Sequence, residues 1–167
     1  MKSVIEQFYQ AFARLDAEGM LACYHQNIRF EDPAFGVLTG EKAKNMWRML
    51  CYSQKGKDFR IKASKIECAH QKGNAQWETF YTFRKTGRRV HNIIRAEFEF
   101  KEDKIIRHTD HFDLYRWSRQ ALGWKGYLLG WTPFFKQKLH TQTHKLLSDF
   151  EQRQSDTAST GKRNQPL

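Results

Sequence analysis

The chain has 167 residues, enough to bury one sizeable core, and 40% hydrophobic with 14% aromatic residues points to a soluble domain walled with rings. No apolar run is long enough to span a bilayer, and the helix-like start with its early Glu6 is unlike a signal peptide. The cysteines, Cys23, Cys51 and Cys68, are odd in number and lack CxxC spacing, which excludes a disulfide framework and a zinc motif and suits a reducing cytoplasm.

The formal charge of +11 would draw anionic ligands, nucleic acid or membrane surfaces without specifying any of them. Basic residues gather at Arg84, Lys85, Arg88 and Arg89, between Lys55 and Lys62, and at Lys136, Lys138 and Lys145. No helix-turn-helix, zinc-finger or RNA-binding aromatic signature accompanies them, so a solvated basic surface is expected and nucleic acid is the last of the partner readings.

Residues 3–15 read as a helix, with Ser3 and Glu6 as a capping box and Val4, Phe8, Phe12 and Leu15 at helical spacing. Asp16 caps a second helix over 17–25. A short strand, 27–30, runs into Glu31-Asp32-Pro33, where proline fixes φ and removes an N–H. Residues 35–40 read as a loop and 41–52 as a third helix carrying Ala43, Met46, Trp47 and Leu50. The period then changes from helix to strand over 59–68, 75–85, 90–100 and 104–114, with turn signals at Gly73 and at Thr86-Gly87. Helices first and a meander of strands after predict an α+β fold with an antiparallel sheet, closed on one face by the helices around a pocket. Residues 116–131, with Gly123, Gly126 and Gly130 among large apolar side chains, are too apolar for a free loop. Thr132-Pro133 opens an amphipathic helix, expected to pack on its own domain or a second subunit rather than on a membrane surface. Residues 151–167 lack an apolar period and read as a disordered tail.

Phe8-Tyr9-Gln10-Ala11-Phe12-Ala13, Asp16, Met20 to Tyr24, Ile28 to Pro33 and Gly40 resemble the start of SnoaL-like and ketosteroid-isomerase-like proteins of the nuclear-transport-factor-two-like superfamily. Arg107 to Asp113 resembles the family's last strand. The resemblance covers residues 1–115 and implies a cone-shaped curved sheet with three helices enclosing a pocket, with 116–150 as an extension. It places Asp32 on the family's proton-shuttling base, Trp47 on an aromatic wall of the pocket, and Thr79, Tyr81 and Phe83 on pocket-facing strand positions. The isomerase's oxyanion-donating tyrosine aligns with Phe8, with Tyr9 one position off on another helix face, and its protonated aspartate aligns with Ala96. With both donors missing, steroid isomerisation by that mechanism is not expected.

The sheet offers substitutes. Period-two alternation puts Ile106, His108, Asp110 and Phe112 on one face of the last strand, which the resemblance turns toward the cavity, and Asn92 joins them from the neighbouring strand. Asp32, His108 and Asp110 are therefore the candidate catalytic residues. Asn92, Tyr81, Trp47, Phe8, Phe83, Thr79 and Phe112 are the candidate substrate contacts. Two readings stay open. One is an enzyme that isomerises, cyclises or dehydrates a small hydrophobic molecule by proton transfer, without a cofactor. The other is a non-catalytic ligand-binding or interaction module. A homodimer through the outer sheet face, with Arg95 and Arg107, is expected. No metal is expected: alternation splits His108 and Asp110 from His111 and Asp113, and His140 and His144 read as a surface pair.

Overall fold

The computed structural model describes residues 3–162. Helix α1 (Val4–Ala13) begins in the expected capping box, with the Ser3 hydroxyl accepting from the Glu6 N–H and the Ser3 N–H donating to the Glu6 carboxylate. It buries Ile5, Phe8, Tyr9, Ala11 and Phe12, a stripe wide enough to put both Phe8 and Tyr9 inside. Asp16 caps the short α2 (Ala17–Leu21). That helix stops four residues before the sequence pattern suggests, because Tyr24 pairs beside Ile105 and draws the chain into strand β1 (Tyr24–Asp32). The expected loop after Pro33 holds strand β2 (Gly36–Thr39), which folds back on β1 so that Asp32 faces Gly36 across a tight turn, with Gly36 in the left-handed region (φ 69°). Helix α3 (Gly40–Gln54) buries Ala43, Met46, Trp47 and Cys51.

Strands β3 (Arg60–Ala69), β4 (Lys72–Phe83), β5 (Arg88–Lys101) and β6 (Lys104–His111) follow, and the sheet order is β2-β1-β6-β5-β4-β3. The sheet is mixed rather than purely antiparallel, since β1 and β6 run parallel. Alternate residues face inward: Ala75, Trp77 and Thr79 on β4; Val90, Asn92, Ile94, Ala96 and Phe98 on β5; His108 and Asp110 on β6. A bulge corrects one expectation. Glu99 pairs with Arg107 and Phe100 with Ile105, so Ile106 is the extra residue and Ile105 takes the buried position.

Beyond the sheet, the apolar segment forms two helices, α4 (Leu114–Leu122, capped by Asp113) and α5 (Trp124–Leu129). Strand β6 ends opposite Arg95, which leaves the edge of β5 open from residue 88 to 94. Helix α4 fills that gap. The Gln120 amide accepts from the His91 N–H (2.7 Å) and donates to the His91 carbonyl (3.1 Å), as a pairing strand would. Arg88 and Thr86 donate to the carbonyls of Gln120 and Ala121.

Helix α6 (Pro133–Lys162) opens at the Thr132 cap with proline first. Leu147 and Phe150 dock it on the domain. The helix runs past residue 151, where a disordered tail was expected. Residues 152–157 are exposed, so this stretch of the helix is carried by local backbone bonding beyond the last core contact. The rest of that tail, 163–167, lies outside the described residues.

Candidate active site on the inner face of the sheet

The Asp32-Pro33 corner is built by two devices. Asp32 Oδ1 accepts the N–H groups of Ala34 (2.9 Å) and Phe35 (2.6 Å), which folds the chain into the turn. Helix α6 then grips the turn from outside. His140 Nε2 donates to the Pro33 carbonyl (3.0 Å), the Thr143 hydroxyl to that of Ala34 (3.0 Å) and His144 Nε2 to that of Phe35 (2.7 Å). The two histidines are therefore loop clamps. Their i,i+4 spacing sets them one turn apart along the same face, as the spacing of the carbonyls requires.

Asp32 Oδ2 makes no hydrogen bond to the protein. The residue as a whole is half-buried, but its carboxyl is enclosed enough to push its pKa up to about 7. Burial is the largest cause. The N–H bonds of Phe35 and Ala34 oppose it, and the nearby Asp110 charge adds to it. The proximity of Asp110 follows from register: Phe30 lies beside His108 and Glu31 beside Thr109, so one step further Asp32 comes alongside Asp110. A carboxyl held near 7 can take or give a proton at neutral pH.

His108 lies at the centre of a different arrangement. It is 0% exposed and both ring nitrogens are engaged, Nδ1 with the Tyr24 hydroxyl (2.7 Å) and Nε2 with Asp110 Oδ1 (3.0 Å). Trp47 Nε1 donates to the Tyr24 oxygen (2.8 Å) and Trp77 Nε1 to Asp110 Oδ1 (3.2 Å). One proton assignment satisfies every group. Tyr24 O–H donates to Nδ1, the neutral ring donates from Nε2, and the Asp110 carboxylate accepts from both sides. An imidazolium would donate from Nδ1 to the Tyr24 oxygen, leaving the Tyr24 proton without an acceptor. Burial holds the Tyr24 phenol well above its ordinary pKa, in keeping with the neutral form. Phe8, Phe30, Trp47 and Phe98 surround the ring, with Trp47 stacked at 5.9 Å and Phe98 at 4.4 Å between centroids. Phe8 and Trp47 are thus walls of a filled core around His108.

The remaining expected residues lie further along the inner face. Thr79 and Asn92 are cross-strand partners, both buried. The Thr79 hydroxyl has no partner, and the Asn92 side chain makes no hydrogen bond. Tyr81 accepts from Trp117 Nε1 (2.7 Å), and Phe83 meets the same indole edge-on, so α4 seats on both. Phe112 packs half-buried against the core.

Tyr9, expected on another helix face from the aligned donor position, lies buried in the core. Its hydroxyl is buried without a partner, and burial together with the nearby Asp110 charge holds it well above the ordinary phenol pKa. The width of the α1 stripe was the available signal. Tyr24 and Trp77 complete the His108 network; alternation puts Trp77 on the face of Thr79 and Tyr81, but the roles of both arise only when β1, β4 and β6 meet.

Two surface cavities, of about 370 and 300 Å3, lie outside the cone, against α1–α2 and between α2, α3 and α6, and touch none of these residues. Among the described residues no cluster of three His, Cys, Asp or Glu could hold a metal ion. Cys23 and Cys51 are buried and Cys68 is exposed.

A six-stranded sheet wrapped on one side by three N-terminal helices, with ionisable groups turned inward, defines an α+β cone of the nuclear-transport-factor-two type. Within that class the chain belongs to the SnoaL-like domain family, whose model matches residues 5–108. A search of curated proteins found no match. Solved structures share the fold. A protein of unknown function from Burkholderia pseudomallei superposes with a TM-score of 0.60 at 17% identity, over 72% of this chain and 95% of that one. TerC, co-crystallised with polyporic acid, gives 0.59 at 16% over 71% and 95%. An epoxide hydrolase from Mycobacterium tuberculosis gives 0.56 at 20% over 76% and 88%. The family match ends before α4, so the edge-filling and loop-clamping helices lie outside it.

Proposed function

We propose that the protein is an enzyme that moves a proton on a small hydrophobic, carbonyl-bearing molecule, with Asp32 as the base. The observation that carries this reading is the Asp32–Asp110 pair. The β1–β6 register, which pairs Phe30 with His108 and Glu31 with Thr109, leads Asp32 toward Asp110, whose charge acts on it; Oδ2 of each is unbonded, and the Asp32 pKa is pushed up to about 7. Asp110 keeps the Asp32 proton available, and His108 acts as a positioning residue that fixes Asp110 from within the core. The oxygen of the substrate would take its hydrogen bonds from Tyr9 and Asn92, whose donors are otherwise unused. Thr79, Tyr81, Phe83 and Phe112 would line the outer part of the site, with Phe8 and Trp47 behind it. The chemistry is isomerisation, cyclisation or dehydration, in which an oxyanion develops as carbon loses its proton. That TerC was co-crystallised with an organic acid supports small-molecule binding by this fold.

The engaged state of His108 favours a second reading, a binding module without turnover, since it leaves no free imidazole. Exchange of α-protons of cyclic ketones in heavy water, followed by proton NMR, separates the two. Acceleration by the native protein that Asp32→Asn abolishes supports catalysis. Ketone binding without exchange supports the module, and equal exchange by the variant removes Asp32 from the mechanism.

A further inference from the structure

Helix α5 and its flanks reverse the usual rule of burial. Its small residues face inward: Gly126 and Gly130 lie against the buried Ser118 of α4 so closely that a Cβ on either would collide with it. The Ser118 hydroxyl bonds to the Gly126 carbonyl at 3.3 Å, which closes the contact. The large residues face outward. Trp124, Tyr127, Leu128, Leu129, Trp131 and Phe134 are between 49% and 70% exposed, all within residues 124–134. A monomer rarely shows so concentrated an apolar patch unless something covers it.

The charges around the patch identify what covers it. From residue 114 to 148 the sequence has no Asp or Glu, but it has Arg116, Arg119, Lys125, Lys136, Lys138 and Lys145. Lys125 lies over the Trp124 ring (5.7 Å) and Lys138 over the Phe134 ring (6.0 Å), so cations are interleaved with the apolar groups. A second copy of the chain would bring these cations together with no acid in the segment to offset them. A nucleic acid would match the charge but not Leu128 and Leu129, which it cannot desolvate. An anionic bilayer matches both, since phosphates meet the lysines while indoles and leucines enter the boundary between headgroups and acyl chains.

We infer that residues 124–134 dock the protein on the surface of an anionic phospholipid bilayer. No helix of the described residues is long and apolar enough to cross a membrane, so the contact is peripheral. Helix α6 takes part only through its first turns, because further along it is occupied by the Asp32 loop and the core.

The test is co-sedimentation of the full chain with vesicles of phosphatidylcholine alone and of phosphatidylcholine mixed with phosphatidylglycerol, at low and high salt. The expected result is partition into the anionic vesicles at low salt, falling at least about tenfold at high salt. The paired substitution Trp124→Ala and Trp131→Ala should lower that partition by about tenfold or more. The charge reversal Lys125→Glu with Lys138→Glu should do the same, and both variants should keep the native melting temperature because the four side chains are exposed. Acyl chains carrying bromine should quench tryptophan emission in the native protein and not in the tryptophan variant. No partition at low salt, partition indifferent to salt, or partition unchanged by either variant overturns the inference. So does a concentration-dependent dimer that the tryptophan substitutions abolish, which would assign the patch to a second copy.

Discussion

Replacing Asp32 by Asn should remove a loss of stability that the native protein suffers as pH rises. In the folded chain the Asp32 carboxyl is pushed up to about 7, whereas in an unfolded chain an aspartate titrates near 4. Below about pH 4 both states hold the proton, and the favourable contribution of the protonated carboxyl is fully present. Between the two values the folded chain keeps the proton and the unfolded chain has released it, so stability falls by about 1.4 kcal/mol for each pH step. Over the whole window the limit is about 4 kcal/mol, and entry of water beside the ionised carboxyl should reduce it to about 1–3 kcal/mol. Asparagine carries no charge at any pH and retains an Oδ1 to accept from Ala34 and Phe35, the bonds that hold the turn. Urea unfolding of both proteins from about pH 4.5 to about pH 8.5 gives a difference curve in which the other titrating groups cancel. The stability of the variant relative to the native protein should be lowest at the acid end and rise steadily to the alkaline end. A flat difference curve, or a native protein that gains on the variant with rising pH, would show that the carboxyl is not enclosed as described.

Two further substitutions probe the groups around it. Tyr9→Phe removes a buried hydroxyl that has no partner. The variant should therefore be as stable as the native protein or up to about 1 kcal/mol more stable by urea midpoint, while ketone proton exchange slows. A loss of more than about 1 kcal/mol would mean that the hydroxyl has a structural bond after all. His108→Leu leaves the Tyr24 hydroxyl and the Asp110 carboxylate buried without their shared partner. It should cost about 2–5 kcal/mol, and a cost below about 1 kcal/mol would show that the two hydrogen bonds of the ring contribute little to stability.

Much of the fold was readable from residues 1–115 because its signals are local. The capping box at Ser3, the helical spacing of Phe8 and Phe12 and the strict alternation of β4 and β5 need only neighbours a few positions away. Alternation also placed His108 and Asp110 on one face and Asn92 beside them, and the structure buries all three. What alternation could not carry was the bulge at Ile106, since one extra residue in one strand is set by its partner strand.

The sequence by itself grouped His108 and Asp110 on one face of their strand and put Asp32 at a proline-stopped corner, because period and proline placement are properties of the chain alone, and the family resemblance turned that face inward. The tertiary structure decided what each of them could do. It spent both nitrogens of His108 on Tyr24 and Asp110, brought Asp32 alongside Asp110 through the parallel pairing of β1 and β6, and turned His140 and His144 into clamps on the Asp32 loop. Those outcomes depend on contacts between residues as far apart as 84 and 109 positions. A local pattern has no access to such contacts, and burial changes the chemistry of a titratable group only once they have formed.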